Sequence, residues 1–208
     1  AITDSANLFG FLKFYKSVRS KGIKPIAGAE INHVRDSSSH NEHANLTLIA
    51  KNKLGYKNLI KLISKSQIAG KTSGIPVIET EWLAEHSDGL IVLSGGFRGH
   101  IGKAVLDTNH DLFLKRIKYF QKIFNEDFIL EISRINRPQE DIYNDYILSK
   151  AGELGLPVVA SNEVRFIDKE DYEAHETRVC IQKGEVLSDA RRTRSYFEDQ
   201  YFLSPEEM

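Results

Sequence analysis

Short runs rich in β-branched and other apolar residues alternate with longer amphipathic stretches along this chain. Six of the short runs predict β-strands, at residues 1–3, 25–30, 46–50, 89–93, 128–132 and 157–160. Short apolar runs separated by helical stretches are typical of a sheet whose faces are covered by helices. The alternation therefore predicts an α/β fold with a mostly parallel sheet.

The longer stretches predict six helices, at residues 8–19, 55–66, 79–86, 111–124, 139–153 and 169–181. The first is the clearest, because its apolar residues form one wide stripe: Leu8, Phe9, Phe11, Leu12, Tyr15 and Val18. Gly22 lies just beyond this helix, where a glycine commonly ends the helical conformation. We expect all of these stripes to pack against the core.

A length of 208 residues suits one α/β domain, and we expect a single domain over residues 1–208. Two polar segments predict loops, the Ser-rich stretch 33–44 and the segment 188–208, which we interpret as an exit segment. Arg191, Arg192 and Arg194 lie in the second segment. We expect them in a solvated loop, and the alternative is contact with a template strand or a partner.

The ionisable composition excludes a general nucleic-acid-binding field. Lys and Arg together number 28 and Asp and Glu number 29, so any DNA contact must be local. The single cysteine, Cys180, excludes an internal disulfide and suits a reducing cytoplasm. No apolar run approaches the roughly 20 residues of a membrane span, and the chain starts without a Met or a leader. We expect a cytoplasmic protein, of which this chain is a fragment.

Polar residues gather at the ends of the predicted strands, where α/β folds place their chemistry. These positions are Asp4, Ser5, Asn7, Glu30, Asn45, Ser94, Gly95, Gly96, Glu131 and residues 161–165. Converging carboxylates suit metal binding or acid–base catalysis. A transition-metal site usually includes imidazole or thiolate ligands as well, and none of these positions supplies one.

The histidines do not form a metal motif. His40 and His43 have the spacing of a ligand pair, but both fall with His33 in the predicted polar loop, where we expect solvated side chains. His100 and His110 accompany helical surface patterns, where exposure or a local hydrogen bond is the ordinary role. The sequence also lacks the spacing of a catalytic triad, a phosphate-binding glycine loop and a dinucleotide fingerprint.

Several ordered strings carry a resemblance to a known family. They are residues 1–4 (AITD), 7–10 (NLFG), 22–26 (GIKPI), 46–50 (LTLIA), 55–59 (GYKNL), 89–95 (GLIVLSG), 156–162 (LPVVASN) and 174–175 (AH). The chain resembles, over essentially its whole length, the polymerase and histidinol phosphatase (PHP) domain at the front of bacterial DNA polymerase III alpha subunits. The resemblance implies a distorted seven-stranded (β/α) barrel whose first strand and helix, with a His-x-His ligand pair, are missing before Ala1.

Metal-bearing members of that family hold up to three ions with His, Asp, Glu and sometimes Cys ligands, and this sequence departs from their pattern. Ser5, Asn45, Gly96 and Ile135 stand where the family has metal ligands, and Glu163 with Arg165 replaces a final Asp-x-His. The resemblance therefore implies a vestigial metal site at Asp4, Ser5, Glu30, Asn45, Gly96, Ile135, Glu163 and Arg165. We expect no catalytic residue, bound metal or cofactor in this chain, and Mg²⁺ only in the downstream polymerase region.

Arg165 is the most informative of these replacements, because a guanidinium offers only donors and cannot bind a metal. A fixed positive charge about 4 Å from a cation costs about 4 kcal/mol per unit charge pair at an effective dielectric constant of about 20. We hypothesise that Arg165 occupies the vacated position and pairs with Glu30, Glu163 or Asp4. The alternative is that His43, two residues before Asn45, restores a ligand.

The resemblance also implies a function. We expect the N-terminal PHP domain of a replicative DNA-directed DNA polymerase, a nucleotidyltransferase, that acts as a non-catalytic scaffold. The expected partners are the proofreading exonuclease subunit, other holoenzyme subunits and, through the full-length protein, DNA, with no membrane contact. The alternative is an active metal-dependent phosphoesterase, either a 3′–5′ exonuclease or a pyrophosphatase.

Overall fold

A single mixed sheet organises the computed structural model, which describes residues 1–34, 43–72, 74–189 and 191–208. Within those residues the sheet has seven strands in the order β3-β4-β1-β2-β5-β6-β7. The strands are β1 (Gly28–Val34), β2 (Ala44–Ala50), β3 (Lys71–Thr72), β4 (Ile75–Glu79), β5 (Leu90–Leu93), β6 (Phe128–Ser133) and β7 (Val158–Ser161). An α/β fold is therefore confirmed.

The expectation of a mostly parallel sheet is wrong. β1 with β2, β2 with β5, and β3 with β4 are antiparallel, whereas β1 with β4, β5 with β6, and β6 with β7 are parallel. Parallel neighbours require a crossover of about a dozen residues or more. Only residues 35–43 separate β1 from β2, so these two strands pair as antiparallel neighbours.

The hairpin of β3 and β4 was not predicted from the sequence. β3 has two residues, and β4 contains Pro76, which pairs with Lys71 at the edge of the sheet. A proline is normally a signal against a strand, and it is tolerated near sheet edges because it cannot donate a ladder hydrogen bond. Among the described residues no strand pairing joins β3 to β7, so closure into a barrel is not confirmed.

The first strands differ from their predicted bounds. Residues 1–3 form no strand and contribute one isolated parallel bridge, Ile2 with Ala27, followed by a second bridge from Ser5 to Glu30. The predicted strand 25–30 begins at Gly28 and continues to Val34. The predicted loop 33–44 was therefore too long, because its ends belong to β1 and β2. Residues 35–42, including His40, lie outside the described residues.

Seven α-helices occur in the described residues: α1 (Phe11–Ser20), α2 (Lys53–Ile68), α3 (Thr80–Glu85), α4 (His100–Leu106), α5 (His110–Phe124), α6 (Glu140–Leu154) and α7 (Tyr172–Lys183). Short 3-10 turns span Gly96–Arg98, Asn125–Asp127 and Lys169–Asp171. Asparagine side chains cap two of the helices, since Asn52 accepts from the Gly55 amide and Asn109 from the Leu112 amide. α4 was not predicted, because its seven residues give little periodicity.

The core lies between the sheet and the helices, and its largest fully buried side chains include Phe113, Phe120, Phe128 and Tyr143. Helix α1 is the exception to the predicted core packing, because none of its residues is buried. Phe9, which precedes this helix, is 90% exposed and Leu12 is 63% exposed. The apolar stripe of residues 8–18 is therefore left largely uncovered. Within the described residues no helix is long and apolar enough to cross a membrane.

Candidate functional site

Two carboxylates from distant parts of the sequence meet beside the sheet. Glu30 lies on β1, and Glu163 lies in the loop after β7. One guanidinium nitrogen of Arg98, Nη2, lies 3.3 Å from Glu30 Oε2 and 3.0 Å from Glu163 Oε2. Asn45 on β2 adds a hydrogen bond, because its Nδ2 donates to Glu30 Oε1 at 2.9 Å. Arg98 therefore bridges the two carboxylates through Oε2 of each, and Asn45 holds the other oxygen of Glu30, Oε1.

Arg137 and Arg165 complete this network. Arg137 Nη2 donates to both carboxylate oxygens of Glu163, at 3.1 and 3.0 Å. Arg165 Nη2 lies 3.6 Å from Glu30 Oε2, which is an ion pair. The hypothesis that Arg165 pairs with one of the nearby carboxylates is met at Glu30. We call Glu30, Glu163, Arg98, Arg137 and Arg165 the arginine–carboxylate network.

Burial differs across the arginine–carboxylate network. The Arg137 and Glu163 side chains are 11% and 12% exposed, whereas Arg98 is 38% and Arg165 25% exposed. Arg165 was expected to be buried and is only partly so. Charge-assisted hydrogen bonds are strongest where water is excluded, so the pair of Arg137 and Glu163 is the most strongly coupled part.

Glu163 also has an unusual backbone, with a φ of 45°. Residues other than glycine adopt this left-handed region at a cost of roughly 1–2 kcal/mol. The carboxylate is held by two guanidinium groups, and its carbonyl oxygen accepts from Gln200 Nε2 at 3.0 Å. These contacts offset the strain and fix the direction of the side chain.

Glu131 on β6 is a third carboxyl group beside the site, and it is 8% exposed. Burial raises the pKa of Glu131, and the negative charges of Glu163 and Glu30 raise it further. Its backbone nitrogen donates to Ser94 Oγ at 3.0 Å. A carboxyl group in this position favours its uncharged form more than an exposed glutamate does.

Glycines bring the loop after β5 against β2. Gly95 has a φ of 77°, and a Cβ built on it would lie 1.9 Å from the Asn45 carbonyl oxygen. Only glycine fits this close approach. The neighbouring Gly96, a predicted vestigial position, has ordinary space, because its Cβ would lie 3.7 Å from the Glu131 carbonyl oxygen.

Ile135, another predicted vestigial position, is fully buried and has a structural role. Its amide donates to Glu140 Oε2 at 2.8 Å, and Ser133 Oγ donates to Glu140 Oε1 at 2.9 Å. Glu140 therefore organises the loop between β6 and α6. This loop carries Arg137 toward Glu163.

Asp4 and Ser5 stand apart from the ion pairs. The Asp4 carbonyl oxygen accepts from the Glu30 amide at 3.2 Å, so the N-terminal residues lie alongside β1. The Ser5 side chain is exposed, and Asp4 takes part in no ion pair within the described ranges. Of the eight predicted positions, the structure joins Glu30, Asn45, Glu163 and Arg165 through their side chains.

Aromatic residues of the C-terminal segment cover the arginines. The Arg137 guanidinium lies 5.0 Å from the Phe97 ring centroid and 5.7 Å from that of Phe197. The Arg165 guanidinium lies 5.7 Å from the Tyr196 ring centroid. These are cation–π distances, and they shield the network from water on the side of residues 196–197.

The sequence did not reveal Arg98 and Arg137. Arg98 stands two residues beyond Gly96, and Arg137 two beyond Ile135, so both follow positions that were already singled out. The available signal was a cationic residue two positions after an expected vestigial position in two separate loops. It was missed because isolated arginines in loops are usually solvated.

The expectation of a solvated side chain is wrong for His33 and for Arg192, whereas Arg191 and Arg194 are exposed as expected. His33 and His100 are buried, and His33 Nδ1 lies 2.9 Å from His100 Nε2. Burial lowers the pKa of His100 to about 2, and the charges of His33 and Arg116 contribute. Arg192 is also buried, at 5% exposure, and pairs with Glu176, so it does not belong to a solvated arginine loop.

Among the described residues no group of three His, Cys, Asp or Glu side chains is placed to hold a metal ion. The donor chemistry of the site is also unfavourable to a dication. Glu30 and Glu163 already accept from guanidinium groups, which have no lone pair to offer a metal. A cation would have to displace the arginines and would be repelled by their fixed charges. The residues present do not fit a metal cluster.

Comparison with known proteins places these features in a family. The PHP domain family matches residues 1–135. DNA polymerase III subunit alpha of Vibrio cholerae serotype O1 is 45% identical over all 208 residues, which make up 18% of that protein. The subunits of the same name from Escherichia coli strain K12 and Pseudomonas aeruginosa are 43% and 40% identical over the same 208 residues. The chain thus spans 18% of the length of these curated relatives.

Proposed function

The chain belongs to the PHP domain family, and on that premise we propose that it is a non-hydrolytic structural domain of a replicative DNA polymerase. The full-length protein would be a cytoplasmic DNA-directed DNA polymerase of the DNA polymerase III alpha type. The relatives of that name, which align with the whole chain, support this assignment. Synthesis, with its Mg²⁺, would take place in regions of the polypeptide outside these 208 residues.

The arginine–carboxylate network carries the proposal of a non-hydrolytic domain. Hydrolysis by a metal cluster requires ions that generate hydroxide and hold the phosphate oxygens. In this chain the carboxylates of Glu30 and Glu163 are engaged by three arginines, and the most engaged of them, Glu163, is 12% exposed. The network ties four loops and strands together, which is the structural task that bound ions perform in a metal site.

We further propose that the seven strands belong to the distorted barrel implied by the family. A mixed sheet with helices outside it and polar residues at the strand ends supports this arrangement. The vestigial positions Asp4, Ser5, Asn45, Gly96 and Ile135 would then surround the rim on which metal ligands once converged. We also propose that the outer surface of the domain receives the proofreading exonuclease subunit and other holoenzyme subunits.

A metal and activity measurement on the full-length protein tests the proposal. The protein would be incubated with Zn²⁺ or Mn²⁺, passed through a desalting column and analysed for bound metal and for hydrolysis of pyrophosphate and of a 3′ DNA end. A variant inactivated in polymerisation removes that activity from the background. We expect no stoichiometric metal beyond that of the polymerase region and no metal-stimulated hydrolysis assigned to this domain.

The matched variant is Arg98→Ala with Arg137→Ala, which removes the arginine contacts of Glu163 and the Arg98 contact of Glu30, whereas Asn45 and Arg165 remain beside Glu30. A metal that binds the unaltered protein stoichiometrically and is lost on Glu30→Gln would overturn the structural role and support the phosphoesterase alternative. Binding of the proofreading subunit, measured with and without a chelator, tests the docking role. We expect equal binding in both conditions, and the absence of binding would contradict that role.

A further inference from the structure

An apolar groove lies between the residues before α1 and helix α2. It has a volume of about 460 Å³, and its lining includes Phe9, Tyr56, Ile60, Gln67 and Ile68. Phe9 and Ile68 are 90% and 85% exposed, and Ile60 is 39% exposed. Contiguous exposed apolar surface of this kind marks interaction sites in soluble proteins.

The groove is built on packed elements. The Phe11 and Tyr56 rings lie 5.5 Å apart, which joins α1 to α2. Gln67 Nε2 donates to the Ala6 carbonyl oxygen at 3.0 Å, which joins the end of α2 to the residues before α1. A groove held at both ends is already shaped for a ligand, and a preformed site avoids the entropy cost of ordering its walls on binding.

The charged residues of α1 and α2 all have one sign. α1 and α2 contain seven cationic residues and no Asp or Glu, although the whole chain has a formal net charge of −1. Five of the seven lysines and arginines are exposed lysines in no ion pair among the described residues: Lys13, Lys16, Lys53, Lys57 and Lys61. Lys57 and Lys61 each directly follow a residue that lines the groove, Tyr56 and Ile60 respectively. The apolar groove thus has a rim that attracts negative charge.

We propose that this groove docks an acidic polypeptide segment that presents apolar side chains at helical spacing. Apolar anchors would fill the space between Phe9 and Ile68, and flanking Asp and Glu side chains would face Lys57 and Lys61. Nucleic acid fits the observations less well. Single-stranded nucleic acid binds by stacking its bases on aromatic side chains and by contacts to arginine. Among the described residues that line the groove, Phe9 and Tyr56 are the aromatic ones and none is an arginine. The inference rests on the docking role proposed above and gives it a location and a partner chemistry.

A fluorescent model peptide tests the proposal on the full-length protein. The peptide carries Leu at positions i, i+3, i+4 and i+7 and Glu at the positions between them, and binding is followed by anisotropy. We expect saturable binding that weakens at least tenfold for Phe9→Ser with Ile68→Ser, and about tenfold for Lys57→Glu with Lys61→Glu. Ile181→Ser is the matched control, because Ile181 is 76% exposed on α7, away from the groove lining. It should leave binding unchanged.

Several results would overturn the proposal. One is equal binding of a scrambled peptide, and another is stronger, competing binding of single-stranded DNA. A third is protection of Phe9→Cys and Ile68→Cys from a thiol reagent in the free protein, which would show that another part of the same polypeptide covers the groove. Binding of the proofreading subunit is measured on the same samples. If the unaltered protein does not bind the proofreading subunit, the docking role is contradicted. If it binds the subunit but the groove variants bind the peptide as well as the unaltered protein does, only the location in the groove is contradicted.

Discussion

One guanidinium nitrogen of Arg137 donates to both carboxylate oxygens of Glu163, at 3.1 and 3.0 Å, and neither side chain is more than 12% exposed. The two residues come from different loops, one before α6 and one after β7. Their contact joins these two loops beside Glu30. Loss of either side chain would leave the charge of the other buried without this partner, so the stability of the domain depends on the pair.

Arg137→Ala should lower the free energy of unfolding by about 3 kcal/mol, because it leaves Glu163 poorly solvated and with fewer partners. Lys51→Ala is the control, since the pair of Lys51 and Asp127 is 54% and 31% exposed. An exposed pair contributes about 1 kcal/mol or less. Urea unfolding measures both changes, and similar losses for the two variants would show that burial does not strengthen the Arg137 pair.

Glu131→Gln should stabilise the protein at neutral and higher pH. Burial raises the pKa of Glu131 in the folded state, so the unfolded chain loses this proton first as the pH rises. Stability therefore declines with pH between the unfolded and folded pKa values of this group. Denaturant midpoints should favour the variant above this interval and converge with the unaltered protein near pH 4, below the ordinary glutamate pKa of about 4.3. The exposed Glu81→Gln should show no such trend, and a parallel trend in both would count against Glu131.

His100→Gln should make the protein less sensitive to acid. Burial lowers the pKa of folded His100 to about 2, whereas an unfolded histidine titrates near 6.5. Protons therefore bind the unfolded chain preferentially as the pH falls below about 6.5, and stability is lost there. The variant keeps a side-chain donor near the His33 carbonyl oxygen, which lies 3.1 Å from His100 Nε2. Unfolding midpoints between pH 7 and 5 test this, and an unchanged slope relative to a His86→Gln control would contradict it.

Gly95→Ala should destabilise the protein far more than Gly155→Ala. Both glycines have positive φ angles, 77° and 65°, so both substitutions cost about 1 kcal/mol in backbone strain. Only at Gly95 would the new Cβ meet another atom, the Asn45 carbonyl oxygen at 1.9 Å. The clash should add about 2 kcal/mol or more and displace the Asn45 contact to Glu30. Equal shifts in the thermal midpoints of the two variants would contradict this, because they would mean that the loop after β5 moves to accommodate the new methyl group without a loss of stability.

The sequence was informative where the structure is local. The runs at residues 46–50 and 128–132 were predicted as strands and form β2 and β6. It was less informative where the structure depends on partners distant in the chain. β4 is a strand because β1 pairs with it in parallel and β3 pairs with it in an antiparallel hairpin. α1 has the pattern of a core helix and no core against which to bury it.

The same distinction applies to the site. The expectation that Asn45 and Arg165 stand in place of metal ligands came from the resemblance, because it concerns residue types at matching positions of a motif. The identity of the ionic partners could not, since Arg98 and Glu30 meet only through the fold. Arginine in a loop has the same sequence signature whether it is solvated or paired in a crevice. Of the ionic contacts, only the pairing of Arg165 with a nearby carboxylate was anticipated, and the roles of Arg98 and Arg137 emerged from the structure.

Residues 196–202 form one side of the site, in addition to the sides formed by the strands and the loops that follow them. Gln200 bonds the Glu163 carbonyl oxygen and accepts from the Phe197 amide, and Asn162 donates to the carbonyl oxygens of Asp199 and Tyr201. A proteolytic cut or an engineered boundary upstream of Phe197 would strip the cover from Arg137 and release the strained Glu163 loop. A junction that transplants this domain into another polypeptide should therefore be made after Phe202. A pulling force on the chain beyond that point would act first on the loop that carries Glu163 and its ion pairs.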